Sequence, residues 1–125
     1  MKTIAQMLKG DILKIADETT AIADGEEDAK GTGYAKSVIF ILDVTGIPAG
    51  YTDETLDVKV VNVDPKTGKE DDLCTFTQVT DTVSEQWKYT MDSNKALGNA
   101  IKVIWTITGS SPDYDFKVST HLKHN

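Results

Sequence analysis

Apolar residues in the second half of the chain recur at every second position, which is the period of a β-strand. Six runs follow this pattern, and turn-forming residues lie between them. The runs span residues 34–44, 55–63, 73–80, 84–91, 101–108 and 113–122. This arrangement predicts an all-β fold, an antiparallel β-sandwich of the jelly-roll or immunoglobulin-like kind.

The apolar faces of these runs predict which side chains form the core. In 34–44, Phe40 and Leu42 lie on one face while Ile39 and Ile41 lie on the other, which is typical of a central strand. Aromatic residues of the later runs fall on the face of each run that looks apolar. We therefore assign them to the core of the sandwich: Trp87, Tyr89, Trp105, Tyr114 and Phe116.

Short connections between the runs predict antiparallel pairing. The segment 64–68 places Pro65 early and Gly68 late in a turn, as a tight hairpin requires. We interpret residues 109–112 as a hairpin loop between the last two strands. A longer polar connection at 92–98 has room for one helical turn.

The first 33 residues are compatible with two interpretations. An apolar stripe of helical spacing is interrupted by Gly10, and strands over 12–16 and 19–23 fit nearly as well. We prefer strands for 11–23, which brings the expected total to about seven or eight. Residues 1–10 are then an arm that needs a partner to become ordered, and residues 11–125 form a single β-sandwich domain. The segment 23–33 has the composition of a flexible acidic loop.

Composition and charge narrow the classes of function. The chain has 125 residues, a net charge of −7 and no arginine, so neither nucleic acid nor an anionic membrane is an expected partner. No apolar run reaches the roughly 18 residues that span a bilayer. The first residues, MKTIAQMLKGDILK, lack the apolar centre of a signal peptide. We expect a protein made in a bacterial cytoplasm.

The reactive side chains form no catalytic group in the sequence. Cys74 lies in the run 73–80 on the face of Phe76, opposite Leu73, and is interpreted as a buried thiol. His121 and His124 are three positions apart in a strand pattern, so they face opposite ways. No serine has a histidine base beside it on predicted rigid structure. We therefore expect no enzyme, no cofactor and no metal.

Two acidic clusters remain as candidate cation sites. They lie at 24–28 and 70–72, and neither has the alternating ligands and central glycine of an EF-hand loop. Both are interpreted as solvated loops, and 70–72 as part of a charged hairpin tip.

The order of the pieces resembles a known family. It runs SVIFILDV, TLDVKVVNVDPKTGK, LCTFTQVT, WKYTM, IKVIWTITG and SSPDYDFKVSTHL. Over residues 34–123 this resembles the small β-sandwich structural proteins of tailed bacteriophages that decorate and cement the capsid. The resemblance implies a non-enzymatic component of the virion surface. It also implies a homotrimer and the major capsid protein as partner. The family brings no set of functional residues with it.

A capsid subunit would be contacted by the apolar arm, by two tyrosines near loops and by the charged hairpin tip. These candidate interface residues are Ile4, Met7, Leu8, Ile12, Tyr34, Tyr51, Lys69, Glu70, Asp71 and Asp72.

Two alternatives stay open beside capsid decoration. One is a head–tail joining, tail or fibre-associated protein of the same virion. The other is a carbohydrate-binding module that uses exposed aromatic side chains.

Overall fold

The computed structural model describes residues 12–32, 37–89, 98 and 100–123 as a two-layer β-sandwich. Within these residues there are nine strands and no helix, and hence no helix able to cross a membrane. The strands are β1 Ile12–Ala21, β2 Gly25–Glu26, β3 Lys30–Gly31, β4 Ser37–Gly46, β5 Thr55–Val63, β6 Glu70–Thr75, β7 Ser84–Tyr89, β8 Ala100–Thr108 and β9 Tyr114–Lys123. The predicted all-β sandwich is confirmed.

The two sheets are antiparallel and differ in size. The four-stranded sheet has the order β1-β9-β4-β7, and the five-stranded sheet has the order β2-β8-β5-β6 with β3 also paired to β8. β4 lies inside its sheet, as the run 34–44 predicted, and β5 lies inside the other sheet. The arm at residues 1–10 lies outside the described residues, and so does the possible helical turn at 92–98 except for Gly98.

The core lies between the sheets and is filled by alternate residues of both. Trp105 of β8 meets Phe116 of β9 edge to face, with ring centroids 5.4 Å apart and an interplanar angle of 75°. Tyr114 is fully buried, and its hydroxyl donates to the carbonyl of Thr80 at 2.9 Å. Each large apolar side chain buried in this layer contributes about 1.5–3 kcal/mol to stability.

The N-terminal part of the sandwich differs from expectation in two ways. The two strands predicted over 12–16 and 19–23 are one strand, β1, which is interrupted by register shifts. One shift falls between Lys14 and Ala16, so that Ile15 and Ala16 are both buried. The other contains Thr20, whose φ of 53° bends the strand and whose N–H donates to Asp115.

The segment 23–33 was predicted to be a flexible loop, and this is wrong for the residues described. β2 and β3 both pair with β8, and the N–H of Glu27 donates to the carbonyl of Val103 at 3.0 Å. The carboxylate of Asp24 accepts from the N–H of Ile107 at 2.8 Å. The physical reason is that the backbone N–H and C=O groups on this edge of β8 need hydrogen-bond partners, and this segment supplies them. The composition of the segment does not reveal that pairing.

The loop at 109–112 is not a hairpin. It leads from β8 in the five-stranded sheet to β9 in the four-stranded sheet, so the last two strands face each other across the core. Its position is fixed by Asp53, whose carboxylate accepts from the N–H of Ser110 at 3.1 Å. A short connection alone therefore did not determine pairing, because Trp105 and Phe116 gain more by packing between sheets.

The charged strand β6 begins earlier and ends earlier than the predicted run 73–80. It spans Glu70–Thr75. Beyond it, the N–H of Phe76 donates to the carbonyl of Val58 at 3.0 Å, and Val79 forms a bridge with Leu56. A register shift opposite Val60 and Val61 adds one residue, so that Leu73 and Cys74 are both buried rather than facing opposite ways.

Gly109 sits where no larger residue fits, which gives the first testable prediction. Its φ is 116°, and a Cβ there would lie 2.5 Å from the Cα of Glu54. We expect Gly109→Ala to lower the free energy of unfolding by about 2–3 kcal/mol, measured by urea titration. Gly31→Ala is the control, because a Cβ at Gly31 meets nothing within 4 Å. Equal stability of the two variants would contradict this account of the loop.

Glu54 makes the sandwich sensitive to acid. Its side chain is 1% exposed, and its carboxylate accepts from the N–H groups of Thr52 and Asp53 at 3.0 and 2.7 Å. The Thr52 N–H is the main reason that the pKa of Glu54 is lowered. Because the pKa of Glu54 is lower in the folded than in the unfolded chain, its contribution to stability is complete above the ordinary glutamate pKa of about 4.3. That stability is lost as the pH falls through the folded pKa.

We therefore expect the melting temperature to fall below pH of about 4.5, and to fall less steeply in Glu54→Gln, whose amide does not titrate. Thermal unfolding followed by circular dichroism from pH 6 to pH 3 measures this. Asp28→Asn, at an exposed acid, should keep the slope of the parent protein. A Glu54→Gln curve parallel to the parent curve would show that Glu54 does not set the acid limit.

Candidate functional site

The charged hairpin between β5 and β6 is the first candidate surface. Asp64 organises its loop: one carboxylate oxygen accepts from the N–H of Lys66 at 2.9 Å and the other from the hydroxyl of Thr67 at 3.0 Å. The Lys66 N–H is the main reason that the pKa of Asp64 is lowered. Gly68, with φ of 74°, closes the turn by donating its N–H to the carbonyl of Asp64. The loop at 64–69 is therefore held by its own hydrogen bonds.

The acids that follow are exposed but do not belong to the loop. Glu70, Asp71 and Asp72 lie in β6, which corrects their assignment to the solvated tip. Glu70 forms an ion pair with Lys102, which also pairs with Glu26 and keeps only 16% of its side chain exposed. These two carboxylates, Glu26 first, raise the pKa of Lys102. Asp72 pairs with Lys59 at 3.1 Å.

The predicted interface residues do not form one surface in the described structure. Tyr51 is half-buried before β5, whereas Lys69 and the acids follow the opposite end of that strand. Nine residues of strand separate the two ends by about 30 Å. Ile12 begins β1, while Ile4, Met7, Leu8 and Tyr34 lie outside the described residues.

The second candidate surface is the outer face of the four-stranded sheet, which the sequence did not identify. Trp87 and Tyr89 were assigned to the core, and this is wrong: they are 46% and 40% exposed. Register places Ile41 beside Trp87 and Ile39 between Tyr89 and His121. The indole of Trp87 lies over this face and contacts His121, with ring centroids 6.0 Å apart and a tilt of 50°. We call these five residues, Ile39, Ile41, Trp87, Tyr89 and His121, the aromatic face.

The phase of β7 explains why these rings point outward. On the inner side of this edge strand, the amide of Gln86 accepts from the N–H of Thr77 at 2.8 Å and donates to its carbonyl at 2.9 Å. The backbone of Thr77 has to be paired, so a polar side chain takes the inner position and its neighbours turn outward. Glu85 was the signal in the sequence: it lies on the same face of the strand as Trp87 and Tyr89, and a charged residue there indicates that this face points to solvent.

Polar side chains border the aromatic face on one side. The next row across the sheet contains Glu85, Asp43, Lys117 and Asp17, as the pairing of β7, β4, β9 and β1 requires. Glu85 also accepts a hydrogen bond from the indole N–H of Trp87. The outer side of the five-stranded sheet differs, because ion pairs of Lys59 and Lys102 cover it.

No other chemical centre is found among the described residues. Within ranges 12–32, 37–89 and 100–123, no three His, Cys, Asp or Glu side chains are arranged to hold a metal ion. Cys74 is buried, and burial raises the pKa of its thiol to about 11. Burial likewise raises the pKa of Tyr114 to about 12, so neither group is prepared for acid–base chemistry near neutral pH.

Comparison with known proteins adds little. No protein-family model matches the chain, and no curated protein matches it. One similar solved structure contains the CBM22-1 and GH10 modules of the N-terminal endo-1,4-β-D-xylanase 10B of Clostridium thermocellum, complexed with xylohexaose. The identity is 18% and the TM-score 0.47, over 91% of this chain and 26% of that one. The present chain thus spans about a quarter of that protein.

The buried thiol gives a prediction for Cys74. With a pKa of about 11, roughly a thousandth of the thiol is ionised at pH 8, and only the thiolate attacks disulfide reagents. We expect the folded protein to react with dithionitrobenzoate at least about a hundredfold more slowly than the same chain unfolded in guanidinium chloride. Absorbance of the released thiolate measures both rates. Rapid reaction of the folded protein would indicate an accessible, activated cysteine instead.

Proposed function

We propose that this chain is a non-enzymatic structural protein of a tailed-bacteriophage virion, a capsid decoration protein that bridges subunits of the major capsid protein. The resemblance over residues 34–123 supports this proposal, and the six runs that carry it correspond to strands β4 to β9. The protein would be made in the host cytoplasm and would then bind the outside of the capsid.

The observation that carries the proposal is the organised, charged hairpin. Its loop is fixed by Asp64 before any partner arrives, so little conformational entropy is lost when Lys66, Lys69 or the neighbouring acids meet a capsid subunit. The pairs Lys102–Glu70 and Lys59–Asp72 hold the acids in place on β6. A rigid charged projection favours specific docking and selects against wrong partners.

A hairpin alone is smaller than the roughly 800 Å² that each partner buries in a stable protein–protein interface. The proposal therefore includes a homotrimer on the capsid, because several modest contacts add avidity. It also retains residues 1–10, with Ile4, Met7 and Leu8, as an arm that contacts a capsid subunit.

Within the virion, a head–tail joining, tail or fibre position is the alternative location. A carbohydrate-binding module is the second candidate function, and one specific observation favours it. Trp87 and Tyr89 leave two aromatic rings exposed on an open sheet face. The two functions use different surfaces of the sandwich, so one protein is able to perform both.

Co-sedimentation tests the capsid role. Purified capsids that lack decoration protein, from the phage that encodes this chain, should pellet the wild-type protein at a fixed number of copies per capsid. Glu70→Ser/Asp71→Ser/Asp72→Ser should bind at least about tenfold more weakly, with an unchanged circular dichroism spectrum, because these acids are exposed.

The control is Asp28→Ser/Asp113→Ser, which removes two exposed acids elsewhere and should bind like the wild type. A wild-type protein that stays in the supernatant would refute the capsid role. Wild-type and triple-variant proteins that bind equally would leave the role standing and exclude the hairpin as the contact.

A further inference from the structure

We infer that the aromatic face binds the apolar side of pyranose rings in a neutral glycan. This inference rests on the second candidate function and concerns a surface distinct from the hairpin proposed to meet the capsid.

The rings are exposed in a protein that buries five of its other described aromatic side chains and leaves Tyr51 half-buried. Trp105, Phe40, Phe76, Tyr114 and Phe116 are in the core, whereas Trp87 and Tyr89 are 46% and 40% exposed. Tyr and Trp are enriched where a binding surface needs an apolar ring with a polar end. Two such rings side by side on one strand are therefore more than a scattered exposed residue.

The orientation of Trp87 is fixed by neighbours. Its indole N–H donates to Glu85, and its ring leans across Ile39 and Ile41 toward His121 at 6.0 Å. Tyr89 lies two positions along the strand, about 6.8 Å away. Trp87 and Tyr89 thus form an apolar strip with Ile39 and Ile41, in which the indole of Trp87 has little conformational freedom left to lose. The C–H groups on one side of a pyranose ring form a matching flat apolar surface.

The polar border supplies partners for sugar hydroxyls. Asp43 and Glu85 carry carboxylate oxygens that accept hydrogen bonds, and Lys117 carries an ammonium that donates them, all in the row beside Trp87. Ser119 lies next to Ile41 on β9, where its hydroxyl is able to do both. Apolar rings with a few placed polar groups at the border are the usual composition of a site for small ligands.

Size distinguishes a glycan from a protein partner. Four strands at about 4.8 Å and three rows of side chains at about 6.8 Å give the aromatic face and its polar border together an area of roughly 200–400 Å². A stable protein–protein contact needs about 800 Å² from each partner. The aromatic face is therefore too small to hold a capsid subunit by itself, but it is large enough for a few sugar units.

Charge then selects the class of glycan. The chain carries a net charge of −7, and the charged residues next to the face are three carboxylates and two ammonium groups, namely Asp17, Asp43, Glu85, Lys14 and Lys117. An anionic polysaccharide would be repelled by the protein as a whole, whereas the carboxylates favour uncharged sugars that offer hydroxyl donors. We therefore assign a neutral glycan to the site.

Affinity electrophoresis and fluorescence test the assignment. The full-length protein is run through gels that contain hydroxyethyl cellulose, glucomannan, xylan or, as the acidic comparison, polygalacturonate. We expect retardation by at least one neutral polysaccharide and none by polygalacturonate. The same neutral polysaccharide should shift the tryptophan emission to the blue, because Trp87 is exposed while Trp105 is buried.

Matched variants locate the site. Trp87→Ala and Tyr89→Ala should each weaken retardation by at least about tenfold. Ile22→Ala, at an apolar residue that is 64% exposed off this face, should retain full binding. Trp87→Phe keeps a ring for packing and should abolish the emission shift, which keeps the test decisive if Trp87→Ala is unstable.

Four outcomes overturn the inference. These are no retardation by any of the neutral polysaccharides, retardation by polygalacturonate alone, retardation that Trp87→Ala and Tyr89→Ala leave unchanged, and an emission shift that survives Trp87→Phe. None of them affects co-sedimentation with capsids, which depends on Glu70, Asp71 and Asp72. The two proposals therefore fail independently.

Discussion

The backbone of each sheet edge must find hydrogen-bond partners, and much of this fold follows from that requirement. On one side of the sandwich, residues 23–31 run along β8, with Glu27 and Asp24 pairing its backbone. On the other side, the amide of Gln86 satisfies both backbone groups of Thr77 and so joins the edges of the two sheets. Because Gln86 must point inward, Trp87 and Tyr89 must point outward. The aromatic face is thus a consequence of closing the sandwich edge.

The sandwich has two outer faces of different chemistry. Ion pairs between lysines and acids on β5, β6, β8 and β2 cover the five-stranded sheet and leave a charged, hydrated surface. The four-stranded sheet instead presents aliphatic and aromatic side chains, with charges in the row of Glu85, Asp43, Lys117 and Asp17 and at Lys14 beside Ser119. Isolated exposed ion pairs contribute little to stability. The contrast between the two sheets is therefore one of surface chemistry, with ion-paired charges on one outer face and aliphatic and aromatic side chains on the other.

The sequence predicted the fold class and the interior position of β4 because alternation is unambiguous where buried residues are large. Phe40, Leu42, Val103 and Tyr114 lie where their periodicity placed them. Prediction from the sequence failed where backbone hydrogen bonds decided which face of a strand points inward. In the run SEQWKY, alternation favours the face of Trp87 and Tyr89 for the core, yet the hydrogen bonds between Gln86 and Thr77 put the opposite face inside.

The same limit applies to pairing and to the candidate site. The loop at 109–112 is short enough for a hairpin, yet it joins different sheets because Trp105 and Phe116 pack across the core. Residues 23–31 looked like a loop because the edge that they cover is distant in sequence. The aromatic face combines residues of β4, β7 and β9, whose neighbourhood exists only after the sheet has formed.

The pairing of β1 with β9 has a mechanical meaning. Ile12, at the start of β1, lies opposite His121 near the end of β9, so both strands leave the sandwich at the same end. A force that separates these ends loads the hydrogen bonds of the ladder one after another, as in a zipper, rather than all together in shear. A tether attached through the first strand would thus peel β1 away gradually at low force. The rest of the sandwich would resist longer, since β9 is still held by β4 along its length.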